Sequence, residues 1–347
     1  MNATQIRRFV MLLGIVVFTL GLSSQAEACS RVLWSNNGKA VVVGRNMDWV
    51  TPMPVNLYAL PRGIKRDGMT GKNTLTWTAK YGTVVAESSD GMNEKGLAGH
   101  MLWLAESDYG AFDPNRPSLS VGMWLQYYLD NFATVKEAVE FTEKTPFQLV
   151  TGTFGGRKVT VHLAFEDPSG DSAVIEYVGG KPRVHHGKEY TVMTNSPPYD
   201  EQLKNLRQFK GFGGDKPLPG TTDAADRFVR AAYYLKNLPE PKDYRECIAG
   251  ELSVIRNVSQ PFGIADQARP YISATRWRTV GDLTNMVYYF ESATSPNLVW
   301  VKLKDLDFSE GTGIRKLDLV KNPDRIGDCT KQFGMSQPFF VPAPELK

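Results

Sequence analysis

Beyond residue 22, nothing in this 347-residue chain is long and apolar enough to cross a bilayer as a helix, which takes about 20 consecutive apolar residues. Cysteine is scarce. There are three, Cys29, Cys247 and Cys329, so in an oxidising compartment one thiol is left over or pairs between chains. A chain of this length can bury a sizeable core without such staples. The four histidines, His100, His162, His185 and His186, show no ligand spacing with carboxylates or cysteines and give no sign of a metal site. Gly155-Gly156 and Gly179-Gly180 lack the strand-to-helix setting of a phosphate cradle. Charge is nearly balanced, at a net +3 that falls to +2 without residues 1–28, which carry Arg7, Arg8 and Glu27. That excess gives no electrostatic reason to expect nucleic acid or an anionic membrane surface as partner. Repeats, low-complexity linkers and clean internal breaks are also missing, which points to one domain over residues 29–347.

What is present begins with an export signal. Arg7-Arg8 is a positive n-region, Phe9 to Leu22 an apolar h-region, and Ala26-Glu27-Ala28 a small-x-small cleavage site. The destination is therefore periplasmic or secreted; an uncleaved anchor is the plain alternative. Cleavage after Ala28 makes Cys29 the first residue of the mature chain, so that a thiol and a free α-amine sit on one residue. An α-amine titrates near about pH 7.7, so it can take the thiol proton without any histidine. Two other readings of Cys29 compete. It could anchor a lipoprotein or binding protein, although no leucine stands three positions before it, or it could be half of a disulfide with another cysteine. Cys247, in an expected helix, and Cys329 could also pair with each other or both stay free.

Ser35-Asn36-Asn37-Gly38 is a turn signal between two strand-like runs. A two-residue turn at Asn37-Gly38 places Cys29 opposite Asn46, with Asp48 a diagonal neighbour. Arg45 and Asp48 are three apart, so a regular strand puts them on opposite faces. If both serve Cys29, the second strand must bulge or end between them. A guanidinium beside the sulfur favours the thiolate, and a carboxylate can orient the amine.

Short strands alternate with turns over residues 54–89, and Asp90 to Gly96 reads as a turn-rich loop before the buried strand LAGHMLWL. Helices are expected from Leu119 to Phe132 and from the capping box at Thr134 to about Glu143. Strands follow at 159–165, 173–178 and 190–194, then a polar surface excursion over 201–220. Asp223 opens a helix to about Leu235, and another covers about 243–257. Strands near 272–279, 285–291 and 298–303 and a polar, Pro-ending tail complete the chain. This order favours an α+β domain with helices segregated onto sheet faces. Taken alone, Asn195 in Thr-Asn-Ser-Pro-Pro is an ordinary turn residue, and Arg227 an ordinary helix-surface charge.

Together, Cys29-Ser-Arg, Gly44-Arg45-Asn46-Met47-Asp48-Trp49, Asp90-Gly-Met-Asn-Glu-Lys-Gly-Leu97, Thr194-Asn195-Ser196-Pro197 and Asp226-Arg227-Phe228 resemble the choloylglycine hydrolase family of penicillin V acylases and bile salt hydrolases. The resemblance spans nearly all of residues 29–347. It implies an N-terminal-nucleophile hydrolase with a four-layer αββα sandwich, hydrolysis of linear amides other than peptide bonds, and no cofactor. It also implies Cys29 as nucleophile, Arg45 and Asp48 as partners of its thiol and amine, Asn195 as a side-chain oxyanion donor and Arg227 as electrostatic support. The second oxyanion donor is a backbone N–H, here that of Trp103, whose side chain with Trp49 shapes the pocket. Two tryptophans suit an aromatic or flat acyl group, so penicillin V-like amides come first, with N-acyl homoserine lactones also plausible and conjugated bile salts second. The family's oligomers suggest a homo-oligomer, a tetramer or dimer.

Overall fold

The computed structural model describes residues 29–339 apart from 72, 145, 155–156, 263–272 and 296. The expected signal peptide and the last residues of the C-terminal tail lie outside them. Along the chain the first strands are β1 (Ser30–Trp34), β2 (Val42–Trp49), β3 (Leu57–Leu60), β4 (Lys65–Asp67), β5 (Thr76–Thr78), β6 (Thr83–Ala86), β7 (Asp90–Asn93), β8 (Ala98–Trp103) and β9 (Ser118–Ser120). After two helices come β10 (Gln148–Val150), β11 (Thr153–Phe154), β12 (Arg157–Lys158), β13 (Val161–Glu166), β14 (Ser172–Val178), β15 (Lys181–His186) and β16 (Val192–Met193). Three more helices lead to β17 (Ala274–Asp282), β18 (Val287–Ser292), β19 (Leu298–Lys302), β20 (Arg315–Leu317), β21 (Gly327–Asp328) and β22 (Gly334–Met335).

Two large sheets result. One has seven strands in the order β16-β1-β2-β17-β18-β19-β21, the other nine in the order β15-β14-β13-β8-β7-β6-β3-β20-β22. Alternation along each strand divides the residues between two cores. Leu57, Ala59, Val84, Ala86 and Ala164 face the seven-stranded sheet and share a core with Val32, Val43 and Trp277. Tyr58, Leu60, Val85, Leu163 and Phe165 point the other way, onto helices Val121–Asn131 and Val135–Glu143. Helices Ala224–Lys236 and Tyr244–Asn257 cover the outer face of the seven-stranded sheet. The layers are therefore helix, sheet, sheet, helix, the expected αββα sandwich.

The Thr134 cap follows its sequence signal, whereas Asp223 stands at the N-cap of helix Ala224–Lys236 without a side-chain cap hydrogen bond, and Asp243 caps the next helix. Thr134 Oγ1 accepts from the Glu137 N–H at 3.2 Å, and Asp243 Oδ1 from the Glu246 N–H at 2.9 Å. Three expectations fail. The polar stretch after residue 198 holds the helix Tyr199–Leu206, with Tyr199 and Gln202 buried. Asp90 to Asn93 is a fully buried strand rather than a loop; the turn comes after it, where Asn93 Oδ1 accepts the Lys95 and Leu97 N–H groups and Gly96 takes φ +89°. The β1–β2 connection is also longer than two residues. Asn37 Oδ1 accepts the Lys39 and Ala40 N–H groups and its Nδ2 donates to the Trp34 carbonyl. This side-chain-templated loop pairs Trp34 with Val42 and Ser30 with Asn46, one residue off the expected register. Continuing that register places Cys29 opposite Met47, not Asn46. All three cysteines are buried and free.

Candidate functional site

Cys29 stands just before β1 and is 5% exposed. Its sulfur lies 3.8 Å from Arg45 Nη2, 3.8 Å from Met47 Sδ and 4.0 Å from the Asp48 carbonyl. Burial pushes the thiol up; Arg45 pulls it down, Asp48 adds to the rise, and burial prevails. The sulfur therefore rests as a thiol despite its guanidinium neighbour, and a base must remove the proton.

Arg45 and Asp48 do lie on opposite faces of β2, as a regular strand requires. Arg45 points between the sheets, where Nη2 donates to the Met101 carbonyl at 2.9 Å and its guanidinium carbon lies 4.6 Å above the Trp277 ring. Asp48 points toward the helix layer, where Oδ1 accepts from Thr275 Oγ1 at 2.5 Å and the buried Oδ2 has no partner. Burial raises the Asp48 carboxyl to about 6, against the pull of Arg227, Thr275 and Arg45. β2 runs unbroken to Trp49, so it neither bulges nor ends at this step. The irregularity expected there belongs to β17: Met47 pairs with Trp277 and Asp48 with Thr275, leaving Arg276 as the extra residue. Arg276 uses its guanidinium on the Trp49 and Val50 carbonyls. No bulge in β2 is needed, because the thiol and the main-chain nitrogen of Cys29 project in different directions.

Asn195 and Arg227 close on the main chain of residue 29. Asn195 Oδ1 lies 2.5 Å from the Cys29 nitrogen and 3.0 Å from Arg227 Nη2. Arg227 is fully buried, and its Nη1 donates to the Cys29 carbonyl and, at 2.6 Å, to Ser30 Oγ. It is no surface charge. Asn195 Nδ2 donates to the Trp103 carbonyl at 2.7 Å, which leaves a second amide hydrogen. The Leu104 N–H donates to Thr160 across the sheet. Alternation along the strand turns the Trp103 N–H to the opposite edge, beyond the end of β7. The Trp49 and Trp103 rings stand 5.9 Å apart, tilted by 54°. All six residues singled out in the sequence, with Trp49, thus form one cluster.

Other members went unread. Met47 touches the sulfur, Thr275 holds Asp48, and two buried histidines back the site. His162 Nε2 lies 2.8 Å from the Thr194 carbonyl, directly before Asn195, and its Nδ1 3.0 Å from Glu176 Oε1. His100 bridges Asp90 and Glu166. The signal available was parity: a histidine at an inward position of an otherwise apolar strand, as in LAGHMLWL and VHLAFE, has to be satisfied by buried partners. Among the described residues no group of three or more histidine, cysteine or acidic side chains could hold a metal.

The model of the linear amide C–N hydrolases of the choloylglycine hydrolase family matches residues 29–320. The chain belongs to that family. This hydrolase is 43% identical over 369 aligned positions to a penicillin V acylase of Pectobacterium atrosepticum, covering 97% of this chain and 98% of that one. It is 25% identical to a bile salt hydrolase/transferase of Clostridium perfringens, over 77% of this chain and 90% of that one. Among solved structures, the penicillin V acylase from Agrobacterium tumefaciens superposes with a TM-score of 0.82 at 46% identity, covering 90% of the hydrolase and 98% of that chain. A mutant of the conjugated bile acid hydrolase from Clostridium perfringens shares the fold with a TM-score of 0.70 at 23% identity, over 83% and 96% of the two chains.

Proposed function

We propose that this amide hydrolase is an exported N-terminal-nucleophile enzyme acting on penicillin V-like amides through Cys29. The observation that carries the reading is the convergence on one residue. Asn195 Oδ1 and Arg227 grip the main chain of Cys29, Arg45 faces its sulfur, and the buried Oδ2 of Asp48 has no partner. An unpaired buried carboxylate oxygen is costly, and the α-amine of a mature Cys29 supplies the missing N–H donor.

The α-amine takes the thiol proton as sulfur attacks the amide carbonyl. The second Asn195 amide hydrogen and the Trp103 N–H hold the oxyanion. The α-ammonium then protonates the leaving nitrogen, the C–N bond breaks, and a thioester remains. Water, giving a proton to the same amine, attacks the thioester and releases the acid, and the thiol is restored.

Trp49 and Trp103 offer an apolar aromatic surface beside this centre, which favours an aryl acyl group. N-acyl homoserine lactones are a further candidate, and conjugated bile salts, the substrates named for the more distant relatives, come second. Signal removal after Ala28 delivers the mature enzyme to the periplasm or the medium as a single domain, and a homo-oligomer is expected. With Ala28 attached there is no free amine, so the precursor is inactive.

One experiment covers the set. Intact mass of the mature protein should show loss of residues 1–28 and an unmodified Cys29, followed by turnover of penicillin V, an acyl homoserine lactone and glycocholate with Cys29→Ser as control. A lipidated Cys29, or full turnover by Cys29→Ser, overturns the mechanism.

A further inference from the structure

Between the two sheets, behind Arg45, lies a chain of charges that the steps above do not use. Glu166 Oε2 accepts from Arg31 Nε at 2.9 Å, and Oε1 lies 2.5 Å from His100 Nε2. His100 Nδ1 lies 2.5 Å from Asp90 Oδ2, which is 3.8 Å from Arg45 Nη1. Arg31, Arg45, Asp90 and Glu166 are fully buried and His100 is 2% exposed. The chain runs from β1 through β13, β8 and β7 to β2 and ends at the Cys29 sulfur.

Two features of this chain matter. The first is charge count: with His100 protonated, three cations face two carboxylates, and one positive charge is left over. Burial alone lowers a histidine, but Glu166 and Asp90 outweigh it and raise His100 to about 9. Asp48, on the far face of β2, is the other anion near Arg45, and Arg227 offsets its charge. Glu251, from the helix layer, is held well above its usual range by burial and is neutral, as is the Tyr288 hydroxyl.

The second is the occupancy of Asp90. Its Oδ1 accepts from the Tyr288 hydroxyl and from Thr279 Oγ1, and its Oδ2 is taken by His100. Oδ2 keeps one lone pair, yet with His100 holding it the carboxylate stays 3.8 Å from Arg45 Nη1, an ion pair without a close hydrogen bond. We propose that His100 is a positioning residue for the reaction: by binding Asp90 it keeps that carboxylate from closing on Arg45, and so leaves the guanidinium facing the Cys29 sulfur. In a neutral-residue variant, Asp90 becomes the nearest unpaired anion to Arg45 and draws it away from the thiol.

This inference rests on Cys29 as the nucleophile, but alkylation reads the thiol's environment whether or not that holds, and turnover by Cys29→Ser tests the nucleophile separately. The probe is iodoacetamide, applied to the mature protein across pH beside kcat/KM for penicillin V. In His100→Gln, alkylation at neutral pH should slow roughly tenfold, equivalent to a thiol titrating about one pH unit higher, and kcat/KM should fall with it. Adding Asp90→Asn should restore most of both. A merely structural role predicts the reverse, since the double variant loses more bonds. Unchanged alkylation in His100→Gln, or no recovery in the double variant, overturns the proposal. Should His100→Gln not fold, the imidazole nitrogen shifts of the unmodified enzyme decide: a cationic His100 at pH 7 supports it, and a neutral ring overturns it.

Discussion

Arg227 Nη2 lies 3.0 Å from Asn195 Oδ1, and a guanidinium can only donate. The amide of Asn195 therefore has one orientation, with its oxygen on Arg227 and the Cys29 nitrogen and its NH₂ turned toward Trp103. A side chain that would be an ordinary turn asparagine in isolation is aimed by a residue 32 positions away.

That orientation separates two roles of Asn195. Asn195→Ala should fold and lose roughly 10²–10³ in kcat, the usual cost of one oxyanion donor. Asn195→Asp keeps an acceptor for Arg227 and Cys29 but has no N–H, so it should be as impaired in kcat. Full turnover by either variant, measured with penicillin V, removes Asn195 from the oxyanion site.

Trp103 should divide differently. Its donor is a backbone N–H, which Trp103→Ala retains, whereas its ring leaves the pocket. The expected result is a KM for penicillin V raised roughly tenfold, about 1.4 kcal/mol of binding, with kcat changed by no more than about threefold. A collapse in kcat at unchanged KM would contradict this division.

Asp48 should steepen the acid side of the pH profile. Burial raises its carboxyl to about 6, and a neighbouring α-ammonium pulls it down. The anionic form, which holds the amine, is lost as pH falls through that value. Below the first-power loss set by protonation of the α-amine at about pH 7.7, the mature enzyme should show a second, steeper loss of kcat/KM at or below about pH 6, and Asp48→Asn should be slow throughout and keep only the first-power limb. An unchanged acid limb in Asp48→Asn would assign it to another group.

Glu251 should govern stability rather than turnover. It lies fully buried beneath Gly44, where an added Cβ would stand 2.6 Å from its Oε1, and neither oxygen has a hydrogen-bond partner. Burial holds its carboxyl well above the usual 4.5. The unfolded chain releases this proton near pH 4.5 while the folded chain keeps it, so stability falls as pH rises above that point. Glu251→Gln, which cannot ionise, should gain about 1–3 kcal/mol at pH 7, raise Tm by about 2 °C or more, and flatten the slope. Equal pH dependence in both proteins would show that Glu251 does not carry it.

The layered fold was readable because a capping box such as that at Thr134 is local and strand alternation is periodic. Cys29, Arg45, Asp48, Asn195 and Arg227 were readable as candidates only as a set, since each alone has a common structural explanation. The facing of Arg45 and Asp48 was half readable. Their opposite sides follow from strand parity, but only the structure shows that Cys29 uses both sides. The hairpin register failed because Asn37 builds its loop with a side chain, which dipeptide turn rules do not capture. The roles of His100 and His162 depend on which strands lie side by side, a long-range fact that no local window contains.

The bond from Arg227 to the Cys29 carbonyl joins residues 198 positions apart. Contacts of such separation form late, because the intervening chain must be ordered first. Helices and hairpins can return early during refolding while the thiol still lacks Arg227 and Asn195. Hydrolytic activity is then the last property the chain regains, and a partly folded chain carries a cysteine that is an ordinary thiol.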